Sequence, residues 1–193
     1  MSYRETLIAL SEKSERQVVA AYNAYRAGTL SRDECVRYIA SAISVSNRQA
    51  SGLASLAYAA ELMAQLGVAV PVVDTPPPDD LDRLTKAAAT TLTVAEASAS
   101  SAAIVGRLGR CEPLETAARS YSESMIRSGK TRGWVRQMSP GACQLCRWWW
   151  RQGRVWPADH PFQHHKGCTC TPKPVIAEGI KETWRTAREK GIR

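Results

Sequence analysis

The sequence predicts a mainly α protein, an elongated helical hairpin or bundle that carries a small β-hairpin module at its C-terminal end. Two observations favour this class. Apolar side chains recur at three- and four-residue steps over most of the first 130 of the 193 residues, which is the period of a helix with one buried face. The later part breaks this pattern, because four of the six cysteines and all three histidines lie within residues 143–170. With 44% hydrophobic and 23% charged residues, the composition is that of a globular protein. No run of about 20 large apolar residues occurs, so a conventional membrane span is not expected.

Residues 1–67 are predicted to form a helical hairpin. Gly28 ends the first apolar stripe and suits a left-handed helix cap. Ser31–Glu34 then has the spacing of a capping box, in which the serine and glutamate satisfy backbone N–H groups at the start of a helix. The second stripe runs from there to Gly67, and Gly52 inside it is a candidate bend.

A proline-rich linker is predicted over residues 68–80, because proline favours an extended chain and lacks the backbone donor. Residues 81–130 are predicted to form a helical pair. The first of these helices is rich in small side chains, which permit close backbone approach, and should end at Gly109. The second should begin at Glu112 and Pro113, since proline is tolerated in a first helical turn.

The net charge of +8 lies entirely in the last third of the chain. Residues 131–193 hold 12 basic and 4 acidic side chains, whereas the first 130 residues hold 14 of each. We therefore expect the helical part to pack against proteins and the charged part to face DNA or an acidic surface. Residues 175–193 are predicted to form a basic tail helix, either solvated or docked on a neighbouring protein.

Residues 131–174 have the ligand spacing of a structural zinc module. A C-x2-C knuckle is followed, after eighteen intervening residues, by an H-x2-C-x-C group, which makes the candidate ligands Cys143, Cys146, His165, Cys168 and Cys170. Zinc takes four ligands, so the knuckle and His165 rank first, Cys168 or Cys170 completes the set, and His164 is the substitute for His165. A closed Zn2+ site of this kind has no position for a substrate, which predicts a role in folding. The alternative is a set of reduced or disulfide-linked cysteines without metal.

Tryptophans and arginines alternate just after the knuckle. They are Arg147, Trp148, Trp149, Trp150, Arg151 and Arg154. One interpretation is that they pack the module against the helices, with the arginines solvated or stacked on the rings. The other is that they contact a partner protein or nucleic acid, because Trp and Arg are enriched at interface anchors and Arg attracts phosphate.

The cysteine segment resembles the C-terminal motif of the Mu F-like phage head morphogenesis proteins. The match covers about 40 of the 193 residues and is closest to minor capsid proteins of actinobacteriophages, some of which are labelled capsid maturation proteases. The matching positions are Gly141-Ala142-Cys143-x-x-Cys146, Gly153-Arg154-Val155, His165-x-x-Cys168-x-Cys170 and Pro172, with Arg132–Arg136 upstream. The tryptophan run replaces the leucine-containing turn of the family, and a second histidine precedes His165.

The resemblance implies a low-copy structural protein of the virion, made in the bacterial host cytoplasm and located in the capsid interior near the portal vertex. Its implied partners are the portal protein, the major capsid protein or both, in several copies within a symmetric assembly. Packaged DNA is a further candidate partner, contacted without sequence specificity, and no membrane is involved.

Two alternative functions remain open. A capsid maturation protease would need a histidine base held by an acid, yet only His160 does not compete for metal, and no G-x-S-x-G motif accompanies it. Cys35 and Cys111 likewise have no histidine nearby in sequence. A zinc-containing DNA-binding protein is compatible with the basic end, although Gly153 and Pro157 argue against a recognition helix between the ligand pairs. We therefore expect a non-enzymatic protein.

Overall fold

The structure is a computed structural model that describes residues 1–73, 75 and 79–176. Part of the predicted linker and the predicted tail helix from residue 177 onward therefore lie outside the described residues. The prediction of a mainly α fold with a small β module is confirmed. The helices are α1 (Tyr3–Arg26), α2 (Arg32–Leu66), α3 (Leu81–Glu96), α4 (Ser101–Ser128) and α5 (Gln144–Trp150), and the strands are β1 (Thr131–Gln137), β2 (Trp156–Pro157) and β3 (Thr171–Ile176).

Local signals set the ends of α1 and α2. The capping box forms as predicted, with the Ser31 N–H donating to Glu34 Oε2 at 2.8 Å and the Glu34 N–H donating to Ser31 Oγ at 3.3 Å. Gly28 has a φ of 76° and Gly67 a φ of 71°, the left-handed conformation that glycine adopts without steric cost. None of the described helices is apolar over a stretch long enough to cross a membrane.

The boundary between α3 and α4 differs from the prediction, which placed a break between Gly109 and Pro113. The chain instead leaves the helix after Glu96, and α4 continues through both residues. Ser98 stabilises the actual break, because its N–H donates to the Ala95 carbonyl and its hydroxyl accepts from the Ser100 N–H, each at 3.1 Å. Pro113 costs α4 one backbone hydrogen bond, and its neighbours Cys111, Glu112 and Leu114 are buried.

Gly109 lies inside α4 because it faces α1 at very short range. A Cβ atom added there would lie 2.5 Å from Val18 Cγ2 and 3.1 Å from the Ser14 carbonyl oxygen. At Gly106 the same atom would lie 3.1 Å from Val19 Cγ2. The glycines of this helix therefore allow close approach to α1, in agreement with the expectation that small residues permit tight helix contacts.

Replacing Gly109 by alanine should destabilise the protein by about 1–3 kcal/mol, because the added methyl group overpacks the contact with Val18. The matched control is Gly52→Ala in α2, where no atom lies within 4 Å of the added Cβ, and we expect a gain of about 0.5–1 kcal/mol from helix propensity. Urea unfolding of the purified variants measures both changes. Equal shifts in the two variants would contradict the close α1–α4 contact.

The described residues form two compact units. One comprises residues 1–53, 79–117 and 165–169, and the other comprises residues 54–73, 75, 118–164 and 170–176. The core of the first unit consists of buried side chains from α1 to α4: Val18, Ala21, Tyr22, Cys35, Val36, Ile39, Ala40, Ile43, Leu84, Ala88, Leu92, Ala95 and Val105.

In the second unit the end of α2 packs on the end of α4. The rings of Tyr58 and Tyr121 meet edge to face with their centroids 5.7 Å apart. The Tyr58 hydroxyl lies 2.8 Å from Thr131 Oγ1, at the start of β1, and also hydrogen-bonds Ser128. This buried tyrosine therefore joins the helices of the unit to its sheet.

The three strands form an antiparallel sheet in the order β2-β1-β3, where the prediction had a hairpin. The central strand is β1, which precedes the cysteine knuckle. Edge strand β3 contains Pro172 and Pro174, and Gln65 Nε2 donates to the outward carbonyl of Pro174 at 3.0 Å. Prolines two residues apart in an edge strand direct both missing donors away from the neighbouring strand, so they cost the sheet no hydrogen bond.

Candidate metal centre

The structure brings together all five side chains of the cysteine–histidine motif. The ligand atoms of Cys143, Cys146 and His165 lie within 4.8 Å of one another, and so do those of Cys146, Cys168 and Cys170. Cys146 belongs to both groups and is 1% exposed. None of the six cysteines, all of which lie among the described residues, forms a disulfide. These five residues could hold a metal ion.

The knuckle is built by the start of α5, where Cys143 is the N-cap residue and Cys146 lies in the first turn. The backbone N–H of Cys146 favours a negative charge on the Cys143 sulfur and lowers the pKa of this exposed thiol below its ordinary value. The Cys146 side chain and the backbone N–H of Leu145 add to this effect. The local backbone therefore favours the thiolate, which is the form that binds metal.

One ring nitrogen of His165 has a backbone carbonyl beside it. Its Nδ1 lies 3.1 Å from the carbonyl oxygen of Lys166. A carbonyl only accepts hydrogen bonds, so this contact favours the tautomer with the proton on Nδ1, in which Nε2 is the nitrogen that could bind an ion. The Cys168 N–H donates to the His165 carbonyl at 2.9 Å, which closes a turn through Gly167 at a φ of 77°. This turn sets the spacing between the histidine and Cys168.

Strand pairing positions the last cysteine. Cys170 immediately precedes β3, whose first residue, Thr171, pairs with Gln137 at the end of β1. Two residues beyond β1, the Ser139 backbone N–H donates to the Cys170 sulfur at 3.4 Å, and the Ser139 hydroxyl oxygen lies 3.5 Å from that sulfur. Donors of this kind stabilise a thiolate and orient it, as outer-shell partners do in metal sites.

Trp134 forms the centre of the module that carries these ligands. It is fully buried, and its Nε1–H donates to the His160 carbonyl at 3.0 Å. Its ring meets Phe162 edge to face at 5.0 Å and stacks with Trp156 at 6.0 Å, while Trp156 and His160 stack at 4.4 Å. His160 is therefore engaged with this aromatic cluster, and the sheet and the loop before His165 share one small core.

Arg136 is a buried cation that the sequence did not distinguish from the other basic residues. It is 2% exposed, with its guanidinium 4.3 Å from the Phe162 ring centroid and 5.2 Å from that of Trp149. It also donates to the Gln163 carbonyl, while its Nε and Nη1 atoms have no hydrogen-bond partner among the described residues. Its burial could have been inferred from its position two residues after Trp134 in β1, because residues two apart in a strand have their side chains on the same face of the sheet.

The structure divides the tryptophans and arginines that follow the knuckle into two sets. Trp149 is half-buried beside Arg136, and the Arg154 guanidinium lies 4.5 Å from the Trp156 ring centroid, so these two pack within the module. The other set borders an open cavity of about 630 Å3. We call this set the Trp/Arg surface, and it consists of Arg147, Trp148, Trp150 and Arg151.

The clustered donors are four sulfurs and one imidazole nitrogen, a set that suits a thiophilic ion rather than a hard cation such as Mg2+. Three of the sulfurs, those of Cys146, Cys168 and Cys170, belong to buried residues. Comparison of the chain with protein-family models, with curated proteins and with solved structures gives no match.

Proposed function

We propose that this chain is a minor structural protein of a tailed-phage head, of the Mu F-like head morphogenesis type. Its C-terminal module would be held together by one structural zinc ion. The observation that carries the proposal is the cluster itself, since all five ligand positions of the family-like motif fall into two groups that share Cys146. The resemblance supplies the phage assignment, and the cluster supports a structural use of the motif.

Zinc is the ion that this donor set fits best. A thiolate buried without a positive partner is strongly unfavourable, and here three cysteines with low exposure converge on one place. A module of this length buries too little apolar surface to be stable by itself, so an ion that ties its loops together contributes to folding directly. Four of the five ligands would complete a closed tetrahedral site, which has no open position for catalysis.

The distribution of charge supports the proposed role in the head. The first 130 residues hold equal numbers of basic and acidic side chains, which suits packing against the portal or the inner capsid surface. In residues 131–176 seven basic side chains accompany one acidic side chain, Asp159. This end is the one that would face packaged DNA or an acidic protein surface, by attraction to negative charge.

A complementation experiment tests this proposal. A phage that lacks the chain should regain full titre with the wild-type protein but at most a few per cent of it with Cys143→Ser, because a metal-free module unfolds. Cys111→Ser is the matched control, since Cys111 is a buried cysteine outside both ligand groups. The major capsid protein should be processed normally with each variant. Loss of that processing would support the protease alternative, and full titre with Cys143→Ser would refute the structural role.

A further inference from the structure

We propose that the Trp/Arg surface binds single-stranded nucleic acid. Bases would stack on the indoles of Trp148 and Trp150, and phosphates would contact the guanidinium groups of Arg147 and Arg151. The site lies on the part of α5 that follows the candidate ligand Cys146 and on the turn after this helix, and its four side chains are not themselves candidate ligands. It does not depend on the proposed function in the phage head, because it follows from this surface alone.

The exposure of the indoles is the first observation. Trp148 is 62% exposed and Trp150 is 36% exposed, whereas Trp134 in the same module is fully buried. Tryptophan has the largest apolar surface of any side chain, so leaving two neighbouring indoles in water is costly unless a partner covers them. Both indoles border the cavity of about 630 Å3, and Met138 and Gln152 also line it. This volume is within the range of natural ligand sites.

The backbone at this site is the second observation. Arg151 and Gln152 have φ values of 46° and 56°, and Gly153 follows at 83°. Two consecutive residues other than glycine in the left-handed region are unusual, and such strain concentrates at binding sites. The turn ends α5 directly after Trp150 and brings Arg151 to the rim of the cavity.

Charge identifies the ligand as an anion. Among the described residues, two guanidinium groups and no acidic side chain line the cavity, and Asp159 is the only acidic residue in residues 131–176. An acidic peptide would neutralise the arginines but would leave the indoles without a flat partner. In a duplex the bases stack on one another, whereas in a single strand they are free to stack on exposed aromatic rings. Alternation of indole and guanidinium therefore favours a single strand over both alternatives.

Fluorescence anisotropy with a labelled oligothymidylate of about 15 nucleotides tests the proposal on the full chain at about 50 mM salt. Trp148→Ala should weaken binding about tenfold, because stacking of one base is lost. Arg147→Gln and Arg151→Gln should each reduce the slope of log affinity against log salt by about 0.7, as expected for one phosphate contact on a single strand. Metal content and circular dichroism should match the wild type in every variant.

Arg154→Gln is the matched control, because it removes the same charge from a residue that packs on Trp156 and does not line the cavity. Its affinity should stay within about twofold of the wild type, the residual effect of one charge outside the cavity. Equal losses in Arg154→Gln and Arg151→Gln would overturn the proposal in favour of diffuse attraction. Three further results would overturn it. A poly-glutamate peptide could compete as well as unlabelled oligothymidylate, a duplex could bind with the same affinity as the single strand, or the oligothymidylate could show no measurable binding.

Discussion

Cys146→Ser is expected to lower the metal content of the purified protein from about one ion per chain to almost none. Cys146 is the residue common to both ligand groups, and its sulfur is buried. Serine replaces the thiolate with a neutral hydroxyl, which is a poor ligand for a thiophilic ion. Each of the two ligand groups would therefore lose one of its members. Because binding of a structural ion supplies folding free energy, the module of residues 131–176 should also lose its ordered core.

Mass spectrometry of the metal, together with near-ultraviolet circular dichroism of the tryptophans, measures both consequences. Cys111→Ser is the control, because Cys111 lies in α4 outside the ligand groups and is only 4% exposed. It should retain the ion. A Cys146→Ser protein that still carries one ion per chain would contradict the assignment of the centre.

The same measurement distinguishes the two last cysteines. Cys168 and Cys170 both lie within 4.8 Å of Cys146, so the positions of their sulfurs alone do not separate them. If His165, Cys143 and Cys146 supply three ligands, only one of the variants Cys168→Ser and Cys170→Ser should lose the ion. If the site is formed by four sulfurs, both of these variants should lose the ion and His165→Ala should keep it.

Trp134→Ala is expected to destabilise the module by about 3–5 kcal/mol, the usual cost of truncating a buried aromatic residue. The indole is fully buried between Phe162 and Trp156, and its N–H is paired with the His160 carbonyl. Removal leaves a cavity in the middle of a very small core and takes away the donor that the part-buried His160 carbonyl accepts from. Urea unfolding followed by far-ultraviolet circular dichroism gives the change in free energy.

Trp148→Ala is the natural comparison, since it removes the same side chain from a site that is 62% exposed. Its free energy of unfolding should change by no more than about 0.5 kcal/mol, as for most surface substitutions. Similar losses in both variants would mean that the two tryptophans contribute alike to folding, and would contradict the division between an aromatic core and the Trp/Arg surface.

Features controlled by neighbouring residues were predictable. The capping box at Ser31 and Glu34 and the left-handed glycines at positions 28 and 67 act within a few residues, so their spacing specifies them. The spacing of cysteines and histidine also indicated the ligand set, because a metal requires particular donor atoms at reachable separations. A helical class and a metal-ligand cluster near the C-terminus followed from these signals alone.

Tertiary packing decided the remaining features. Gly109 was predicted to end a helix. It lies inside α4 instead, where Val18, ninety-one positions away in the sequence, leaves no room for a side chain. Arg136 and Arg151 are the same residue type in one short module, yet one is buried against aromatic rings and the other lines an open cavity. The sequence by itself determined the helical class and which atoms could bind a metal, because helix caps and ligand spacing act locally. Which glycine, tryptophan or arginine is buried depends on contacts between distant segments, and only the folded chain decides those.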